Sequence, residues 1–162
     1  ILQNWVDWKD KLGPRPAVLR FEQQVIPLLE EECRTLDSWE DLSEAERNRW
    51  LQSDFLFILD EFSALYSSVC CWNFDGEEVA FSIKQGMERY LYQDINRSVQ
   101  KRGWFQLDVI IPFDTEFDND VHQSVDVDRR YDCEQKIVRV DHVGLKSMEG
   151  HPMRIARVVI SA

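Results

Sequence analysis

At Gly103 the hydrophobic repeat of this chain changes period. Before it, apolar residues recur at steps of three and four, the spacing that lines one face of an α-helix. Beyond it they alternate, the spacing of a half-buried strand. A single switch of this kind leads to helices first and strands afterwards, an α+β protein. We therefore expect a helical region over 1–102 and a compact β domain over 103–162.

Within the helical part, Ile1, Leu2, Trp5, Trp8 and Leu12 mark a first helix that Gly13, Pro14 and Pro16 end. A second pattern covers about 17–36. Its apolar face is Val18, Phe21, Val25, Leu28 or Leu29, and Cys33, with a kink expected at Pro27. Ser43 and Glu46 stand at capping-box spacing. Behind them Leu51, Phe55, Ile58, Phe62, Leu65 and Val69 follow at steps of four, three, four, three and four. That is an a/d seam, widened by Leu59 and Tyr66. It needs another helix upon it, from the same chain or from a second copy. Asp75 and Gly76 make the next turn. Ile83, Met87, Leu91, Ile95 and Val99 then run at uniform steps of four. Lys101, Arg102 and Gly103 close that helix, cations at its C-terminus and glycine after it.

In the strand part, Phe105, Leu107 and Val109 alternate, and 137–140 and 153–160 are short and β-branched. Gly144 and Glu149–Gly150 supply turns. Five or six short strands are expected.

The 162 residues include 30 acidic and 19 basic ones, a formal charge of −11. Phosphate backbones and anionic membrane surfaces would repel such a chain, so neither nucleic acid nor membrane is an expected partner. No uninterrupted run reaches the length of a transmembrane helix, since Asp54 and Asp60 break the most apolar stretch. Cys33, Cys70, Cys71 and Cys133 form no CxxC pair, and reduced thiols in a cytoplasmic protein are expected.

The densest polar segment, 114–134, carries Asp114, Glu116, Asp118, Asp120, Asp126, Asp128, Asp132 and Glu134 beside Arg129 and Arg130. Its start has the alternation of a calcium loop. The sixth position is Asn119 where such a loop needs glycine, and the twelfth is Val125 where it needs glutamate. A solvated acidic loop is the expectation, with no metal and no cofactor. His122, His142 and His151 show no zinc-ligand spacing, and no GxSxG or P-loop signature is present. His122 is read as hydrogen-bonded at the edge of the β module.

Four segments stand in order over the last two-thirds of the chain. They are Leu56–Asp60; Gly86-Met87-Glu88 with Leu91 and then Gly103; Phe117-Asp118-Asn119-Asp120-Val121-His122-Gln123-Ser124-Val125; and Ile137–Leu145 followed by Gly150–Ile160. Together they resemble the GrpE family of nucleotide-exchange factors. The third is similar to that family's FDPxxHEAV signature, and the last pair to its VVxVxxxGY and NGxVLRPAxVxV segments. Asn119, Gln123, Ser124 and Ile155 depart from those patterns, and broken helices stand where the family has one long paired helix.

The resemblance implies a helical, dimerising region ahead of a β-rich GrpE-like domain. It implies a homodimeric co-chaperone of protein folding and stress response that binds the nucleotide-binding domain of a DnaK-type chaperone and promotes ADP release. Arg154 would anchor the chaperone, with Met153 and Val158 in or beside the contact strand. Phe117 and His122 would hold the entry strand, Gly144 would form a turn and Gly103 would end the helix. The alternative is an adaptor or assembly protein that keeps the fold without exchange activity.

Overall fold

The computed structural model describes residues 2–132 and 135–162; Ile1, Cys133 and Glu134, all named above, lie outside the described residues. The protein is α+β. Its helices are α1 (Leu2–Leu12), α2 (Pro16–Gln24), α3 (Ile26–Asp37), α4 (Glu44–Trp50), α5 (Leu56–Phe74), α6 (Glu78–Arg89) and α7 (Asn96–Lys101). Its strands are β1 (Gln106–Leu107), β2 (His122–Asp128), β3 (Ile137–His142), β4 (Leu145–Lys146), β5 (Pro152–Arg154) and β6 (Ala156–Ser161). The chain packs as two compact units, Ile1–Leu65 and Tyr66–Ala162.

In the first unit, Trp5, Trp8 and Leu12 are buried as their spacing requires. Trp5 lies 5.0 Å from Phe21 between ring centroids, and Phe21 lies 6.1 Å from Phe62. The expected kink at Pro27 is a full break. Val25 ends α2, and α3 restarts at Ile26 with Pro27 in its first turn, where a missing N–H costs nothing. The restart shifts the helical phase. Cys33, expected inside, is exposed, and Glu32 is buried in its place. The capping box forms as read: Glu46 N–H donates to Ser43 Oγ and Ser43 N–H to Glu46 Oε2, each at 3.2 Å.

Glu44–Phe74 is one continuous helix, with a π-helical turn at Leu51–Phe55 joining α4 to α5. By length and average composition it is apolar enough to cross a membrane, and half of its most apolar window is buried inside the protein. From Ile58 onward the seam is covered within one chain: Ile58, Leu59, Phe62, Leu65, Tyr66 and Val69 are all buried.

In the second unit α6 and α7 are joined by another π-helical turn, Tyr90–Ile95. The physical reason lies in the spacing. Uniform steps of four run ahead of a 3.6-residue turn, and the wider π turn takes up the drift. The correction leaves Ile95 half-buried and brings Asn96 inward, where its Oδ1 accepts the Leu107 N–H at 2.9 Å. Gly103 adopts φ +73°. Gly103 N–H bonds Gln100 O at 2.9 Å and Trp104 N–H bonds Val99 O at 3.0 Å, the paired bonds of a Schellman cap.

Among the described residues six strands form two three-stranded sheets, β1–β4–β5 and β2–β6–β3. In the second, β6 lies parallel to β2 and antiparallel to β3. The alternation expected through Val109 stops early. Val109 is exposed and Ile110 takes the core position. The apolar stretch 153–160 is divided at Ile155, so that β5 and β6 serve different sheets.

The change of repeat at Gly103 marks where helix gives way to strand, but the compact units divide earlier, inside α5. The cause is that residues 66–74 of α5 pack on the strands. Ser67 Oγ accepts the Val140 N–H at 3.1 Å, and Phe74 stacks on Phe113 at 4.5 Å.

Candidate functional site

The β1–β4–β5 sheet and its flanks carry several exposed apolar side chains. Met153, on β5, is 58% exposed, and Ile155, in the link to β6, is 52% exposed. Met148, in the β4–β5 turn, and Val109, just past β1, are also exposed. Arg154 pairs in register with Leu145 and is half-buried, its Nη1 donating to Val143 O at 3.3 Å. A guanidinium held by the backbone beside exposed Met and Ile side chains is an amphipathic strip suited to a protein surface.

The other expected site residues lie elsewhere. Val158 is wholly buried at the centre of β6, between Ser124 on β2 and Val140 on β3. Its side chain supports the sheet rather than meeting a partner. Phe117 and His122 shape the turn that starts β2, with ring centroids 6.1 Å apart. Asp118 organises that turn. Its C=O accepts the His122 N–H at 2.8 Å, its Oδ1 accepts the Asp120 N–H at 2.9 Å, and its own N–H donates to His122 Nδ1 at 3.1 Å. The imidazole therefore accepts at Nδ1. Burial lowers its pKa against the opposing pull of Asp118, which keeps the ring neutral at pH 7. Two further carboxylates of the acidic segment, Asp126 and Asp128, are used just as locally. Asp126 Oδ1 accepts the Val127 N–H at 2.8 Å, and Asp128 pairs with Arg130 at 2.6 Å, a bond that lowers the carboxyl pKa. Among the described residues no three His, Cys, Asp or Glu side chains converge on one point.

Gly144 is required by a close approach rather than by a left-handed turn. A Cβ there would lie 2.2 Å from Asp108 Oδ2 and 3.2 Å from the Ala156 Cβ. Asp108 has little freedom to yield, because Lys146 Nζ holds its carboxylate at 3.3 Å and its N–H donates to Gly144 O at 2.9 Å. Gly144→Ala is expected to cost about 1–3 kcal/mol by overpacking. Urea denaturation at neutral pH measures this, and unchanged stability would show that the Asp108 side chain swings clear.

One feature escapes sequence reasoning. A cleft of about 200 Å³ opens between the end of α5 and the β2–β6–β3 sheet, lined by Cys71, Phe113, Arg130, Tyr131 and Arg139 among others. Phe113 holds φ +72°, a conformation costing about 1–2 kcal/mol outside glycine. The Phe74 stack and the edge of Tyr131, 4.9 Å away, surround its ring. Cys71 Sγ hydrogen-bonds the Tyr131 hydroxyl, and Arg130 lies over the Tyr131 ring. No local signal in the sequence marks it, since Tyr131 is one of two aromatic residues of the acidic segment, with Phe117. The thiol of the adjacent Cys70 is buried, which pushes its pKa up to about 12. No protein-family model matches the chain, and no curated protein matches it.

Proposed function

We propose that this chain is a GrpE-like co-chaperone, a non-enzymatic cytoplasmic protein that binds the nucleotide-binding domain of a DnaK-type chaperone and promotes ADP release. Four segments similar to that family in order, and a helices-then-strands layout, support the reading. The observation that carries it is the exposed strip on β5 and its flanks, with Met153 and Ile155 in solvent and Arg154 fixed between them. Binding the open, nucleotide-poor form better than the closed one would shift the chaperone toward ADP release. By linkage, ADP weakens the binding of this protein by the same factor. The charge of −11 would speed encounter with a basic partner surface.

Stopped-flow release of a fluorescent ADP from a DnaK-type chaperone of the same source tests the proposal. The release rate is expected to rise with protein concentration. Arg154→Ala is expected to weaken the effect by about tenfold, the loss of one anchoring contact of about 1.4 kcal/mol. No acceleration, with binding still seen by calorimetry, would favour an exchange-inactive adaptor or assembly protein. The three short helices α1–α3, in place of one long paired helix, are the observation on that side. Dimerisation through the first unit would use exposed apolar residues such as Val6 and Leu19, since the seam from Ile58 onward is already covered. A single-chain mass by light scattering at micromolar concentration would remove it.

A further inference from the structure

One edge of the β2–β6–β3 sheet stands open among the described residues. β2 is the outermost strand, bonded on one side to β6 and on the other to no described strand. It has 7 residues, where β1 and β4 have 2 and β5 has 3. Gln123–Val127 are all exposed. Successive residues of a strand point to opposite faces, so both faces of β2 are uncovered. Whatever covers β6 stops short of it. Val158, Val159 and Ile160 are buried, and their β2 partners Ser124, Asp126 and Val127 are not. The opposite edge is closed where β3 starts: Ile137 N–H bonds Thr115 O at 2.9 Å and Phe117 N–H bonds Gln135 O at 3.0 Å.

The chain closes β2 only at its ends. His122 N–H is taken by Asp118 O, and Val127 N–H by Asp126 Oδ1. Between them Gln123, Ser124 and Val125 make no backbone bond outside the sheet among the described residues. Val125 has no partner on β6 either, because the register shifts between Ser124 and Asp126. A bulge and charged side chains are ordinary guards against a stray strand. They do not call for valine in solvent, yet Val121, Val125 and Val127 are all exposed. Valine stabilises a sheet by packing against the next strand.

Charge selects the occupant. Residues 117–128 include Asp118, Asp120, Asp126 and Asp128 and neither lysine nor arginine. Arg129 and Arg130 follow the strand, and Arg130 is paired with Asp128 at 2.6 Å. Arg139 on β3 is paired with Asp141 at 2.7 Å, and Arg157 on β6 stands opposite Gln123. A second copy would set the same carboxylates, and a chain charge of −11, against themselves. Like charges opposite one another destabilise a strand pair.

We propose that the open edge of β2 docks an extended basic segment of a partner protein, which adds to the sheet as a further strand. Its apolar residues would pack on Val125 and Val127, and its lysines or arginines would lie beside Asp120 and Asp126. Main-chain bonds supply the affinity in this mode, and the side chains the specificity. The site is on a different sheet from the β5 strip and stands without the co-chaperone reading.

The probe is a short fluorescent peptide alternating valine and lysine, titrated into the full chain and followed by polarisation. It is expected to bind, and to bind more weakly as salt is raised. Val125→Lys is expected to lower its affinity by about tenfold or more, since lysine is a natural guard of strand edges and repels the peptide. Val125 is exposed and outside the β6 register, so this variant should keep the wild-type circular dichroism. The same peptide methylated on its backbone nitrogens keeps its side chains and charge but cannot donate to β2, and is expected not to bind. A valine–glutamate peptide is expected not to bind either. Failure of the valine–lysine peptide, equal binding of either control peptide, or full affinity in Val125→Lys would overturn the proposal. So would a wild-type dimer that Val125→Lys dissolves, because a second copy would then be the occupant.

Discussion

Expressed alone, residues 66–162 are expected to keep a β circular-dichroism signal and melt cooperatively, and residues 104–162 to do neither. The longer fragment is one of the chain's two compact units. The shorter one begins where the sequence changes period, and it loses three supports that helical residues give to the strands. Ser67 Oγ no longer takes the Val140 N–H, Asn96 Oδ1 no longer takes the Leu107 N–H, and the Tyr92 hydroxyl no longer donates to Ile110 O. Val140, Leu107 and Ile110 are all buried. Each orphaned group in such surroundings costs about 1–3 kcal/mol. The three together approach the whole stability of an ordinary domain, about 5–15 kcal/mol. The Phe74 stack on Phe113, with Phe113 in a left-handed conformation, is lost as well. Cooperative folding of residues 104–162 would instead make Gly103 a true domain boundary and reduce α5 to a cover.

The same contrast shows what was legible in the sequence. Period and punctuation were: the helix end at Gly103, the capping box at Ser43 and Glu46, and the burial of Trp5, Trp8, Phe62 and Val69 all follow from local spacing. Phase was not. The restart after Pro27 turns Glu32 inward, and the π-helical turn Tyr90–Ile95 brings Asn96 inward, because one displaced residue rotates everything beyond it. Pairing was not either. Nothing in 153–160 says that β5 and β6 enter different sheets, or that β6 lies parallel to β2, because those choices depend on residues far away in the chain. Of the candidate site, Met153 is exposed and Val158 is buried. The Cys71, Phe113 and Tyr131 cleft had no local signature, since its members lie up to 60 residues apart.

The largest single-residue contrast separates core from surface on neighbouring strands. Val158→Asp is expected to unfold the second unit, and Met153→Asp to leave its melting temperature within experimental scatter. Val158 is 0% exposed, so an aspartate there must bury a carboxylate that has no partner or take up a proton. Either way the loss is about 4 kcal/mol or more, enough to empty the native state of a marginally stable domain. Met153 is 58% exposed, and surface substitutions of that kind stay within about 0.5 kcal/mol. Its effect belongs to binding. If the β5 strip meets a chaperone, a charge at its apolar centre weakens affinity by about tenfold or more, a cost of about 1.4 kcal/mol. Calorimetric titration of the folded Met153→Asp protein reads this directly. Wild-type affinity would take Met153 off the interface and leave Arg154 without its apolar companion. A normally folded Val158→Asp protein would mean that β6 can part from β2 or β3, contrary to the register of Val158 between Ser124 and Val140.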